Sequence, residues 1–194
     1  MLSQDAIDQV VEAPEVSRAG DENENSTQPS TGFEVLNFIN FQMQVVSKSE
    51  MSGWFIVSKK SAQPFGVLHG GMTAYIAESL ASMGAQIASD WSRVAGIEMN
   101  VTHLQAASIG HKVMVKALPM RVGKRVQVWN VTFSMEKNQI PHSTEPQETV
   151  ITSVARVTLL VGLPGPEKAK VGIDQLVAVA KDMGTEKLLP FSKL

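Results

Sequence analysis

One carboxylate stands alone in the middle of this chain. In PFGVLHGGMTAYIAESLASMG, from Pro64 to Gly84, Glu78 is the only charged residue between Lys60 and Asp90. A lone acid among alanines, methionines and isoleucine is either a solvated helix residue or a group with a use, because burying it idly is expensive. A glycine pair, Gly70-Gly71, precedes it by about two helical turns. If a helix starts near His69 to Gly71, its first amides lack intrahelical acceptors and carry the positive end of the dipole. The missing side chains at 70 and 71 let a ligand approach those amides. Such an end suits a phosphate, and equally the oxyanion of a tetrahedral intermediate. Ser82, four residues after Glu78, shares its face and is placed to hydrogen-bond the carboxylate and fix its rotamer. Gln63, just before the Pro64 turn, is a second polar group within reach of the helix start.

These groups need a helix to carry them and a sheet to hold the helix. Residues from about His69 to Trp91 form one helical pattern, and Ala74, Ala77, Ala81, Gly84, Ala85 and Ala88 give it small sides that permit close packing. Ahead of it lie the strand-like stretches FQMQVVS from Phe41 and GWFIVSK from Gly53. Behind it come four strand-rich segments from Val94, His111, Arg125 and Thr149, with no further helix among them. One helix cannot cover both faces of five or six strands. The expected fold is α+β, a sheet curved around a long central helix, with its remaining apolar surface covered by another subunit.

Composition narrows the chemistry. At 194 residues and 43% hydrophobic, the chain is about one globular domain. A net charge of -2 argues against general nucleic-acid affinity. The absence of cysteine excludes disulfides, thiolate metal sites and a cysteine nucleophile. No histidine pair has metal spacing, and neither HExxH, GxSxG nor a Walker A loop occurs, so no metal is expected. No apolar run approaches the roughly 18 residues of a membrane span. The start, MLSQDAIDQVVEAPE, has acids where a signal peptide has basic residues. The end, Ser192-Lys193-Leu194, is the tripeptide that the peroxisomal import receptor reads, which implies a peroxisomal location. Residues 1–31 are expected to be a disordered acidic tail, 32–166 the folded domain, and 167–194 an extension whose VGIDQLVAVAKDMG has the pattern of a short amphipathic helix. KNQIPHSTEPQE is expected to be a long hairpin loop.

The segment PFGVLHGGMTAYIAESLASMGA, continued through RVAGIEMNVTHL, VGKRVQVW and SVARVTL, resembles hotdog-fold acyl-CoA thioesterases of the 4-hydroxybenzoyl-CoA type with a catalytic glutamate. Within them it is most similar to the plant peroxisomal branch that acts on 1,4-dihydroxy-2-naphthoyl-CoA in phylloquinone synthesis. The resemblance spans roughly Gly32 to Pro166. It implies a hotdog fold, an active site built between subunits, and a homotetramer arranged as a dimer of dimers. By position, it implies that Glu78 is the nucleophile or general base, that Gly70 supplies the oxyanion amide, and that Gln63 polarises the thioester carbonyl. Ser82 stands beside the acid or its water. His69 opens the motif, either as a catalytic group or as a helix-start residue bonded to backbone. Coenzyme A contacts are implied at Gly71, Gly96, His103, Leu104, Gln105 and the turn Arg121, Val122, Gly123, Lys124 and Arg125, with Arg156 a further cation on the last strand. His103 has a competing reading as a sheet-facing core histidine. The coenzyme is part of the substrate, and no separate cofactor is expected.

With the carbonyl oxygen at the Gly70-Gly71 amides, Glu78 either attacks to give an acyl-enzyme anhydride or activates a water. A glutamate ordinarily carries its charge at neutral pH, and a thiol of pKa ~8.5 departs as thiolate with little acid assistance, so no second acid is demanded. The alternatives are a thioesterase for fatty or phenylacetyl-type acyl-CoA, a non-catalytic acyl-CoA sensor, and a hydratase. The sensor is disfavoured because no DNA-binding module is legible. The hydratase is disfavoured because its Asp/His pair is missing.

Overall fold

A five-residue helix that the residue pattern does not announce, α1 (Glu34–Phe38), is the first element among residues 34–137 and 148–163, which the computed structural model describes. Its Leu36 and the following Ile39 are buried, and Phe41 stacks on Phe55 with ring centroids 6.0 Å apart. A hairpin follows, β1 (Gln42–Val46) and β2 (Met51–Ile56). β2 starts two residues before the expected Gly53, because Met51 pairs with Val46 and is fully buried.

The long helix α2 (Gly70–Ala88) ends three residues short of the expected Trp91. There Ser89 turns its N–H back to the Ala85 and Gln86 carbonyls, and Asp90 and Trp91 take left-handed backbone angles (φ 50° and 63°) that no helix continues. Four long strands complete the domain: β3 (Arg93–His103), β4 (Lys112–Val122), β5 (Val126–Glu136) and β6 (Thr149–Leu163). All pair antiparallel, in the order β1-β2-β4-β5-β6-β3. This is the expected α+β hotdog arrangement, a helix clasped by a curved sheet.

The clasp is tight because α2 is lined with small residues. A Cβ on Gly84 would overlap the indole of Trp129, a residue with no exposed surface. The indole Nε1 donates to Gln127 Oε1 at 3.0 Å, and Gln127 Nε2 donates to the Ala85 carbonyl at 3.4 Å, so the buried polar groups tie helix to sheet. Ile76, Leu80, Met83 and Ile87 fill the space on either side. The strand after the helix, β3, does not pair with its chain neighbour β4 but closes the far edge beside β6. Its other edge carries no strand among the described residues, and Ile97 and Met99 on it are 56% and 39% exposed. The expected N-terminal tail and C-terminal helix, and residues 138–147 of the expected loop, lie outside the described residues. Among the described residues no helix is long and apolar enough to cross a membrane.

Candidate active site

The head of α2 is organised by His69. Its backbone is extended (φ -72°, ψ 129°) and its Nδ1 accepts the Gly71 N–H at 2.9 Å, while its carbonyl accepts the N–H groups of Met72 and Thr73 at 2.9 and 3.1 Å. His69 is therefore the N-cap, bonded to backbone. The expectation that both glycines offer free amides is corrected, because His69 occupies that of Gly71. The Gly70 N–H alone in this first turn finds no acceptor among the described residues. Gln63 reaches the same place through a tight turn: its N–H donates to the Val67 carbonyl at 2.8 Å, its carbonyl accepts the Gly66 N–H at 2.9 Å, and Gly66 sits at φ 74°. Gln63, Gly70, Thr73, His103 and Ser153 line a cleft of about 390 Å³.

Proline at position 70 isolates that amide. Gly70 is the first helical residue, where proline is tolerated, and His69 already holds the extended conformation that must precede one. Gly70→Pro is expected to lower kcat by about 10²- to 10³-fold by removing the N–H. Gly70→Ala, which adds a Cβ but keeps the donor, should lose no more than about tenfold. Equal kcat values for the two would show that the amide takes no part.

Glu78 lies eight residues further on, about 12 Å along the helix axis. It lines a second cleft of about 480 Å³, shared with Tyr75, Ser82, Gln86 and Gly96. The lone carboxylate is exposed rather than buried: Ile76, Ala77 and Leu80 take the face toward the sheet, and Glu78 falls on the flank beside the β3 edge. Ser82 shares the cleft, but among the described residues no hydrogen bond joins it to Glu78, so the expected rotamer lock is not formed in the single chain. The carboxylate rests instead on bare backbone. A Cβ on Gly96 would lie 2.5 Å from Glu78 Oε1. Gly96 opens a bulge, since Gly96 opposes Leu159 while Glu98 opposes Thr158, leaving Ile97 extra. Gly96→Ala should push the carboxylate aside and cut kcat by about 10- to 10²-fold, since displacement on the scale of 1 Å is costly in catalysis. The clash meets only a flexible side-chain end, so Tm should stay within a few degrees. A Tm that falls together with kcat would make Gly96 a structural residue instead.

The two clefts share no lining residue. The residues expected to touch coenzyme A divide between the same two ends. His103, Leu104 and Gln105 sit beside the head of α2, and the Leu104 and Gln105 N–H groups donate to the Thr152 carbonyl at 2.8 and 3.0 Å. His103 is exposed at the end of β3, which corrects its reading as a core histidine. The turn Arg121 to Arg125 lies at the Glu78 end, because Val126 pairs with Leu160 and Leu160 with Ala95. Arg121, Lys124 and Arg125 are exposed, and none forms an ion pair among the described residues. Gly123 is demanded by the turn, where a Cβ would lie 2.6 Å from the Val126 carbonyl oxygen. Arg156 lines neither cleft. It alternates with the buried Ala155 and Val157 and is exposed on the sheet face away from α2.

Two residues at the helix head escaped the sequence pattern. Ser153 is 3% exposed and occupies the inner register of β6 otherwise filled by Ala155, Val157, Leu159 and Val161; a polar residue in that row was the available signal. Thr152, beside it, has a buried Oγ1 without a partner among the described residues.

Comparison with known proteins agrees with this architecture. The family model described as "Thioesterase superfamily" matches residues 65–141. The chain is 41% identical over 144 residues to 1,4-dihydroxy-2-naphthoyl-CoA thioesterase 2 of Arabidopsis thaliana, covering 74% of this chain and 89% of the relative. It is 28% identical to 1,4-dihydroxy-2-naphthoyl-CoA hydrolase of Escherichia coli, covering 55% and 78% of the two chains. The crystal structure of a Haemophilus influenzae thioesterase superposes with a TM-score of 0.55 at 27% identity, over 65% of this chain and 80% of that one. Zebra fish thioesterase superfamily member 2, at 20% identity and a TM-score of 0.57 over 66% and 85% of the chains, shares the fold. With its helix-clasping sheet and this degree of identity over most of the described domain, the chain belongs to the thioesterase superfamily and is a thioester hydrolase.

Proposed function

We propose that the chain hydrolyses an aromatic acyl-CoA, foremost 1,4-dihydroxy-2-naphthoyl-CoA, to the free acid and coenzyme A. The observation that carries this reading is the Gly70 N–H at the head of α2, without a partner among the described residues, in a cleft that also presents Gln63. The thioester oxygen accepts from that amide and Gln63 polarises the same carbonyl. Glu78 supplies the attack, either adding its own oxygen to the carbonyl carbon or taking the proton of a water that does so. The C–S bond then breaks and the thiolate leaves without an acid; on the first route water then cleaves the Glu78 anhydride, which releases the free acid and restores the carboxylate. The choice of acyl group is supported by the 41% identity to the plant thioesterase named for that substrate.

Glu78 and Gly70 in one chain are about 12 Å apart and face separate clefts, so the working site takes them from two copies. The β3 edge, with Ile97 and Met99 exposed, is the surface on which a two-fold mate fits, and two such dimers give the tetramer. The basic turn Arg121 to Arg125 is then available for the coenzyme phosphates. The location proposed for this chemistry is the peroxisome, as the tripeptide Ser192-Lys193-Leu194 implies.

A substrate panel with a thiol-trapping reagent tests the reading. Purified full chain should release coenzyme A from 1,4-dihydroxy-2-naphthoyl-CoA with kcat/KM at least tenfold above that for phenylacetyl-CoA or palmitoyl-CoA. Preference for palmitoyl-CoA would overturn the acyl group, and silence across the panel would overturn the function.

A further inference from the structure

We propose that His103 is a further catalytic residue, a second hydrogen-bond donor to the thioester oxygen, and that Ser153 is the positioning residue that aims it; this rests on the assignment of Gly70 as oxyanion amide. A Cβ on Gly70 would lie 3.0 Å from His103 Nε2 and 3.3 Å from its Cε1, so the imidazole presents that nitrogen to the glycine whose N–H has no acceptor among the described residues. Behind the ring, Nδ1 is 3.2 Å from Ser153 Oγ. The two residues oppose each other across β3 and β6, and Ser153 also opposes Phe133 of β5, so the hydroxyl is fixed inside the sheet while the ring stands at its edge.

In the tautomer proposed, Ser153 donates to Nδ1 and the ring proton sits on Nε2, toward the cleft. An oxygen held by the Gly70 amide then meets a second N–H from the same wall, and two converging donors bind an oxyanion better than they bind the ground-state carbonyl. Among the described residues His103 is the only titratable side chain lining this cleft. His69, the other imidazole at the helix head, has its Nδ1 committed to Gly71.

Steady-state kinetics of the full chain on 1,4-dihydroxy-2-naphthoyl-CoA decide the matter. His103→Ala should lower kcat about 10²-fold with KM changed less than threefold, and His103→Gln, whose amide N–H approaches the Nε2 position, should recover at least tenfold over alanine. Ser153→Ala should lower kcat about tenfold at unchanged KM, and Ser153→Thr, which restores the hydroxyl, should return it to within threefold of wild type. A wild-type kcat in His103→Ala, or a loss confined to KM, overturns the proposal, and a wild-type kcat in Ser153→Ala overturns the positioning role. If the alanine variant at 103 does not assemble, His103→Gln against Ser153→Ala decides: wild-type kcat in both overturns the proposal. Glu78→Gln in the same series separates the two readings. An inactive Glu78→Gln beside a fully active His103→Ala sinks only the role of His103, whereas full activity in Glu78→Gln sinks the underlying assignment.

Discussion

Glu78→Gln is expected to lower kcat by about 10³- to 10⁵-fold, with KM within a fewfold of wild type and the assembly unchanged. The amide keeps the shape of the carboxylate but can neither add an oxygen to the thioester carbonyl nor accept a proton from water. What survives is the contribution of the Gly70 amide and its neighbours, the residual catalysis that remains when a nucleophile or base is removed from a preorganised site. Folding should hardly notice. Glu78 is exposed, makes no hydrogen bond or ion pair among the described residues, and rests against the Gly96 backbone, so the stability change should fall within about 0.5 kcal/mol. Glu78→Asp keeps the charge but withdraws it by one carbon–carbon bond, and an intermediate loss of about 10- to 10²-fold follows. Thiol-release kinetics, size-exclusion elution and Tm check the three statements. Wild-type turnover in Glu78→Gln would end the assignment.

The parts of this site that a residue pattern can show are the local ones. A run of small residues with one acid, opened by two glycines, fixes a helix, its head and the face that Glu78 shares with Ser82. The period-two segments after it fix four long strands. What depends on pairing across the sheet was not legible. Nothing local to RVAGIEMNVTHL says that β3 pairs with β6 at the far edge, and that pairing leaves Ile97 and Met99 exposed, lets Glu78 lie against Gly96, and sets His103 against a serine fifty residues away. The exposure of Glu78 has the same origin: apolar neighbours in sequence predict burial, but α2 turns its flank to an edge that one chain does not cover. The occupied amide of Gly71 shows the limit at short range. HGG announces a helix start, yet which amide remains free depends on the side-chain rotamer of His69, and no spacing encodes that. The short helix α1 has five residues and too few positions for any period to register.

A mixed assembly tests where the site lies. Glu78→Gln and Gly70→Pro chains are each expected to be nearly inactive alone. Co-expressed in equal amounts, they should recover about a quarter of wild-type specific activity. Random pairing makes half of the dimers mixed, and in each mixed dimer one site receives Gly70 from the first variant and Glu78 from the second, while the other site receives neither. A site confined to one chain would give no recovery above the parents. The reverse arrangement sharpens the contrast. A chain carrying both substitutions, co-expressed with wild type, leaves intact sites only in wild-type dimers, so activity should fall to about a quarter; independent chains would retain about a half. The separation of the two clefts decides these numbers, since eight residues of helix hold Gly70 and Glu78 about 12 Å apart, too far for one thioester carbonyl to meet both without a second copy.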